Sequence, residues 1–262
     1  MNLQLENKLA LVSGSTAGIG LAIATSLAAE GARVIVNGRT EARVSAALTK
    51  IREKVPHAKL EPFAGDLSTA AAAEELARRF PDVEILVNNL GIFEPKPFEE
   101  ITDDEWRRFF DVNVVSGVRL SRIYFPGMKK RNWGRIIFIS SESALQSPPE
   151  MIHYGMTKTA QIAVARGLAE LAAGTGITVN SVLPGPTRSE GVEEFVDKLS
   201  GGAPFEQFEK EFFEKVRPNS LIKRFESVEE IANIVTFVAS PLSSATTGAA
   251  IRAEGGVVKS AF

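Results

Sequence analysis

Cysteine is absent from the 262 residues. That excludes disulfides, thiolate nucleophiles and cysteine-held zinc or iron–sulfur centres, and it suits a reducing compartment. Long apolar runs are missing as well, since none approaches the roughly 20 residues a membrane span needs. Residues 1–14 combine neither the basic start nor the apolar stretch of a secretory signal. A cytoplasmic protein with no membrane partner is therefore expected. Neither sign of charge dominates: 30 Lys and Arg face 32 Asp and Glu, for a formal net charge of −2. Nothing global draws such a chain to a phosphate backbone, so nucleic acid is not an expected partner. The two histidines, His57 and His153, have no spaced partners of the kind a metal site requires, and no metal is expected. No repeat, low-complexity tract or Pro/Gly-rich linker divides the chain.

The composition that is present, 44% hydrophobic and 24% charged, is the ordinary globular balance. Short apolar runs read as strands at Leu9–Ser13, Arg33–Asn37, Leu60–Ala64, Ile85–Asn88, Arg135–Ser140, Thr178–Leu183 and Ala249–Arg252. Helical periodicity lies between them, at Ile19–Glu30, Ala42–Lys54, Ala70–Phe80, Asp103–Lys130, Ile152–Ala173 and Val228–Ala239. Strands alternating with helices imply βαβ units, and near-continuous apolar strands imply helices on both faces. The expected fold is an α/β, doubly wound, Rossmann-like parallel sheet forming a single dinucleotide-binding and catalytic domain over residues 1–262. The stretch 189–223 breaks the rhythm with Gly201, Gly202, Pro204 and Pro218 among Phe195, Phe205, Phe208, Phe212 and Phe213. It reads either as a substrate lid or as an amphipathic insertion packed on the body.

The first strand runs directly into Gly14, Ser15, Thr16, Ala17, Gly18, Ile19 and Gly20, after which a helix begins. Glycines let a backbone turn tightly against a diphosphate, and the helix N-terminus offers it free N–H groups and a positive dipole end. A structural strand–helix turn uses glycine in the same way. At the end of the second strand, an NAD-selective site usually places a carboxylate for the ribose hydroxyls. Here Asn37 stands instead, followed two residues later by Arg39, whose guanidinium could grip a 2′-phosphate or simply face solvent. Asp66, with Leu67 beside it, could accept from an adenine amino group or belong to a helix-initiating turn. Asn88, Asn89, Leu90 and Gly91 close the fourth strand, where amides can tie strand ends together and glycine can admit a ribose.

Tyr154 and Lys158 stand four residues apart on one helix and share a face. An unperturbed tyrosine titrates near pH 10 (about), too high for efficient proton exchange near neutrality, and a neighbouring ammonium would lower it. Ser141 follows the fifth strand at the carboxyl edge, where open α/β sheets bind ligands, though Ser140 and Ser143 make the turn serine-rich anyway. Asn113 lies within the expected helix Asp103–Lys130, placed either to orient a water behind Lys158 or to face solvent. His153, adjacent to Tyr154, points elsewhere on the helix and is given no catalytic role.

Taken together, the glycine motif, Asp66, the Asn88–Gly91 turn, Asn113, Ser141, Tyr154-x3-Lys158 and Pro184-Gly185 resemble the short-chain dehydrogenase/reductase family in its single-domain form, including its 3-oxoacyl reductases. Ser13, Leu90 and Glu254 depart from the family's usual threonine, alanine and aspartate, and none of these removes a catalytic group. Ala17 stands where many NADP-preferring relatives carry a basic residue. The resemblance implies a catalytic set of Asn113, Ser141, Tyr154 and Lys158. Tyr154 would protonate a carbonyl oxygen as hydride arrives, Lys158 would bind the nicotinamide ribose, and Asn113 would support a water relay. Pro184, Gly185, Thr187 and Ser189 would meet the nicotinamide end of the cofactor.

The expectation is an NADP(H)-dependent oxidoreductase acting on a ketone, a 3-oxoacyl compound or the corresponding alcohol. An NAD-dependent alcohol dehydrogenase and a non-catalytic dinucleotide-binding regulator are the alternatives. Glu94, Ser143, Leu145, Gln146, Pro148, Met151 and the phenylalanines of 189–223 are candidate pocket residues. Apolar residues spread widely around Ile152–Ala173 leave surface for a second subunit, and the resemblance implies a homodimer or homotetramer.

Overall fold

The protein is described by a computed structural model covering residues 1–193, 196 and 204–261. Its strands are β1 (Leu9–Val12), β2 (Arg33–Gly38), β3 (Lys59–Ala64), β4 (Ile85–Asn88), β5 (Gly134–Ile139), β6 (Ile177–Pro184), β7 (Thr187–Arg188), β8 (Glu226–Ser227) and β9 (Ala250–Ala253). Seven of them form one parallel sheet in the order β3-β2-β1-β4-β5-β6-β9, and β7 pairs with β8 in a small ribbon. The order reverses between β1 and β4. That is the switch point at which an open α/β sheet leaves a crevice beyond its strand ends.

Residues of β1, β4, β5 and β6 are buried throughout, which explains their unbroken apolar sequence. Side chains alternate between two cores. On one face Ala10, Val12 and Val34 meet Ile23 and Leu27 of α1 (Gly18–Ala29), Ala47 and Ile51 of α2 (Glu41–Lys54), and helix Val228–Ala239. On the other, Leu11, Ile35 and Phe138 meet Leu76 of α3 (Ala70–Arg79) and Tyr124 of the helix Ser116–Arg131. This is the expected Rossmann-like single domain. Element bounds agree with the sequence expectation to within a residue or two, the usual fraying of ends. Among the described residues no helix is long and apolar enough to cross a membrane.

Two segments depart from the expectation. The helix expected over Asp103–Lys130 is divided into α4 (Asp103–Phe110) and α5 (Ser116–Arg131) by a π-helical turn, Asp111–Val115. The wider turn coincides with a long-range contact. The buried Asn113 side chain leaves the helix to bracket Ile92, accepting from its N–H at 2.8 Å and donating to its carbonyl at 3.0 Å. In the excursion, α6 (Ile152–Leu171) having gone before, α7 (Phe205–Lys215) lays its phenylalanines against Phe225. The Phe208, Phe212 and Phe213 rings lie 6.4, 5.1 and 5.2 Å from it. Phe195, Gly201 and Gly202, which carried part of the lid expectation, lie outside the described residues. The last helix is α8 (Val228–Ala239).

Candidate active site

The glycine loop is laced to its neighbours by two asparagines. Asn37, 2% exposed at the end of β2, accepts from the Gly14 N–H at 3.0 Å and donates to the Phe63 and Gly65 carbonyls at 3.2 and 3.0 Å. Asn89, after β4, donates to the Ser13 and Gly14 carbonyls at 3.0 and 3.1 Å, while the Ser13 hydroxyl accepts from the Asn89 and Leu90 N–H groups. The chain can pass here only as glycine. Gly14 and Gly18 have φ of +63° and +54°, and a Cβ at Gly20 would stand 2.4 Å from the Gly14 carbonyl oxygen. Ala17 occupies the N-cap of α1 and has no side-chain acceptor, so the first N–H groups of the helix are uncapped. These features fit a dinucleotide diphosphate: a cradle too tight for side chains, ending on an uncapped helix N-terminus.

Asn37 is thus a buried brace rather than a ribose contact. The residue free to meet a cofactor at this strand end is Arg39, which is exposed and makes no side-chain bond among the described residues. Asp66 binds the Ser68 N–H and hydroxyl at 3.0 and 2.7 Å, an Asx turn ahead of the Thr69 cap of α3, with Leu67 buried behind it. One Asp66 carboxylate oxygen carries both bonds, and the other can take a further donor.

Tyr154 enters from the first turn of α6, and Lys158 follows one turn later with its Nζ 5.5 Å from the Tyr154 ring centre. Lys158 is 5% exposed and donates to the Ile139 carbonyl at 2.8 Å and to Gln161 Oε1 at 3.4 Å. Gln161 in turn donates at 2.6 Å to the main-chain carbonyl of Asn113, which the π turn directs toward α6. Asn113 Nδ2 also donates to Thr157 Oγ1 at 3.0 Å, so α6 and the π turn hold one another. Ser141 leaves β5 with extended backbone, and its hydroxyl accepts from the Ser143 N–H at 3.1 Å. Ser140 instead anchors α6 through the Lys158 carbonyl at 2.8 Å. Both serines line the cleft, but Ser140 commits its hydroxyl proton to helix α6, whereas the Ser141 side chain is the one hydrogen-bonded to Tyr154.

Burial governs the electrostatics. It pushes the Tyr154 hydroxyl up to about 12, with the Ser141 hydrogen bond opposing and the Glu142 charge adding to the rise. It pulls Lys158 down to about 7. The lowering of Tyr154 expected from its ammonium neighbour is not found: desolvation, which disfavours the charged form of each group, dominates, and the one opposing influence is the Ser141 hydrogen bond. His153 is buried against Phe109 at 4.0 Å and Trp106 at 5.9 Å, where burial lowers its pKa.

A cleft of about 290 Å³ collects Ile19, Asn89, Gly91, Ser141, Tyr154 and Lys158, and its other wall brings Pro184, Gly185, Thr187 and Ser189. Gly14, Ser15, Thr16, Ala17, Gly18, Gly20, Arg39, Asp66, Leu67 and Leu90 lie outside this cavity, along the glycine loop and the neighbouring strand ends, and Asn113 lies behind it, bonded to its lining residue Ile92 and, through Gln161, to Lys158. Of the candidate pocket residues Ser143, Met151, Phe208 and Phe212 line it. Glu94, Leu145 and Gln146 do not, because they lie on exposed loop surface, and Pro148 is buried away from it. The sequence reading missed Gln161, Glu142 and Arg217. Gln161 was legible as a polar residue three positions beyond Lys158 on a helix, and Arg217 carried no local signal at all.

The short chain dehydrogenase family pattern matches residues 8–200. The oxidoreductase YvaG of Bacillus subtilis (strain 168) is 52% identical over 264 residues, spanning 100% of both chains. The D-beta-hydroxybutyrate dehydrogenase of Cupriavidus necator is 32% identical, covering 97% of this chain and 99% of that one. Among solved structures, L-sorbose reductase from Gluconobacter frateurii, complexed with NADPH and L-sorbose, superposes with a TM-score of 0.92 at 30% identity, over 99% and 100% of the two chains. The chain belongs to the short-chain dehydrogenase/reductase family. It is an oxidoreductase that works between CH–OH and carbonyl groups with a nicotinamide dinucleotide.

The pKa directions have a direct readout, because Tyr124 and Tyr154 are the only tyrosines. Burial raises both hydroxyls, so each ionises above its ordinary range. Ultraviolet titration of the native protein at a pH near 10, where a free tyrosine is about half ionised, should show almost no phenolate. The denatured chain at that pH should show roughly one phenolate, half of each tyrosine. One phenolate per native chain at that pH would contradict the buried-hydroxyl account.

Proposed function

We propose that the protein is an NADP(H)-dependent reductase of a ketone or 3-oxoacyl compound, with Asn113, Ser141, Tyr154 and Lys158 as its catalytic set. It would act in the cytoplasm, which a cysteine-free chain suits. The observation that carries the reading is the meeting of Ser141, Tyr154 and Lys158 in one cleft with Ile19 of the glycine loop. Bound nicotinamide supplies the hydride. Ser141 holds the substrate oxygen by its hydroxyl and leaves Tyr154 to deliver the proton. A hydroxyl titrating far above neutrality is in its protonated, acid form for that step. As the proton leaves, positive charge on Lys158 stabilises the phenolate. Asn113 holds the relay end of α6 through Gln161 and Thr157.

For the cofactor, the glycine loop and α1 N-terminus take the diphosphate, Asp66 and Leu67 the adenine, and Asn89, Leu90 and Gly91 the ribose. Pro184, Gly185, Thr187 and Ser189 take the carboxamide end, and Arg39 takes the 2′-phosphate. Solved relatives bound to NADPH and to NADP support a phosphorylated dinucleotide. The excursion, with Phe208 and Phe212 at the cleft, acts as a lid that excludes water. The exposed strip of Ala163, Gly167 and Leu171 on α6 joins subunits in a homodimer or homotetramer.

Tyr154→Phe should lower kcat roughly 10²–10⁴-fold, the usual contribution of a general acid, with NADPH binding within a few-fold of wild type. Half the wild-type rate in that variant would rule the acid assignment out. Arg39→Ala should raise the KM for NADPH about ten- to a hundredfold and leave that for NADH nearly unchanged, since a charge-assisted phosphate bond is worth roughly 1.5–3 kcal/mol. Equal use of NADH by wild type would defeat the phosphate clamp and leave the oxidoreductase reading standing. Cofactor with a carbonyl compound should slow hydrogen exchange over 204–223, and light scattering at micromolar concentration should give the mass of two or four chains. Full protection without ligand would mark a rigid insertion, and a monomer mass would remove the subunit interface.

A further inference from the structure

Arg217, just beyond α7, is 9% exposed and lines the same cleft as Ser141 and Tyr154. Its head group is fixed on two sides. Nε donates to Glu142 Oε1 at 3.1 Å, and Nη1 donates to Glu150 Oε1 at 3.4 Å and to the Val216 carbonyl at 3.2 Å. The Phe212 ring lies 5.8 Å from the guanidinium carbon. The remaining nitrogen, Nη2, makes no bond among the described residues. Glu142 is the residue directly after Ser141, which brings this guanidinium to the reacting end of the cleft.

The charge around that donor is the unusual part. One guanidinium faces two carboxylates within ion-pair distance, and the charge of Glu254 also acts on Glu142. Arg217 therefore offers directed N–H groups in surroundings that carry no excess positive charge. Burial raises the Glu142 carboxyl and the Arg217 guanidinium opposes that rise, so an entering carboxylate or phosphate would compete with Glu142 and Glu150 for the single guanidinium, an arrangement that rejects anions. A neutral oxygen meets no such penalty and gains a fixed donor whose orientation is already ordered by its ion pairs.

We propose that Arg217, held by Glu142 and Glu150, is a specificity-determining residue that selects a neutral ketone bearing a second, uncharged oxygen and discriminates against anionic substrates. Hydroxyketones and 3-oxo esters or thioesters belong to that class, and free 3-oxo acids do not. The inference rests on the reductase reading of this cleft. Carbon chains of such substrates would lie against Phe208, Phe212 and Phe225, which share the cavity.

Three ketones test it with NADPH: ethyl acetoacetate, acetoacetate and 2-pentanone. Wild type should favour the ester over each of the other two by roughly tenfold or more in kcat/KM, the size of one well-placed hydrogen bond. In Arg217→Met the ratio of ester to 2-pentanone should fall to near one. Arg217→Lys, which keeps the charge but loses the planar fork, should fall between. Glu142→Gln removes one opposing charge and should narrow the gap between acetoacetate and its ester several-fold. Acetoacetate turned over as well as its ester in wild type would overturn the proposal, as would an ester preference that survives in folded Arg217→Met. If no ketone is turned over, the reductase reading falls. Calorimetric binding of the same three probes to wild type and Arg217→Met would then still read the ester preference, and its absence would overturn the inference separately.

Discussion

The cleft exists because side-chain amides hold the strand ends of the sheet in one arrangement. A parallel sheet fixes its strands by backbone bonds only up to their carboxyl ends, and beyond that edge each loop must find other partners. Asn37 supplies them between β1, β2 and β3, binding Gly14, Phe63 and Gly65 at once. Asn89 does the same between β4 and the glycine loop. Three bonds on one buried side chain are worth roughly 1 kcal/mol each net, and an orphaned partner costs about 1–3 kcal/mol. That makes the edge rigid without a metal or disulfide, and it aims the uncapped start of α1 at the crevice.

On that frame Tyr154 and Lys158 are tuned chiefly by desolvation. Tyr154 is pushed up and Lys158 down by the same burial. Near neutrality Tyr154 is thus held in its protonated form, while Lys158 sits close to the balance between ammonium and amine. Lys158 keeps acceptors on two sides, Ile139 and Gln161, so its ammonium has somewhere to place its protons when it forms. The π turn in the helix carrying Asn113 connects this pair to α4 and α5. Its widened geometry gives Gln161 a carbonyl that a regular α-helix would have used internally.

Much of this was legible in the sequence, and the reasons differ by element. The apolar strands could be read because burial on both faces removes the polar half of the alternation, as in β5 and β6. The glycine loop and the Tyr154–Lys158 spacing could be read because each is local: a turn, and one helical face. The split of Asp103–Lys130 could not, because its cause is a bond from Asn113 to Ile92, 21 positions earlier. The pairing of Glu142 with Arg217 spans 75 positions and leaves no trace in either neighbourhood. Asn37 illustrates the limit in the other direction. The sequence marked its position as lacking a carboxylate, and only the packing shows that its amide is spent on backbone, leaving Arg39 to face outward.

The central claim is that Ser141, Tyr154 and Lys158 form a site for hydride transfer to a carbonyl carbon. The most direct measurement follows the hydride itself. NADPH deuterated on the transferring face of C4 should deliver its label to the carbinol carbon of the alcohol formed from ethyl acetoacetate, to a single configuration and with label loss equal to product gain. Cofactor oxidation without deuterium in the alcohol, or product labelled equally in both configurations, would contradict the account.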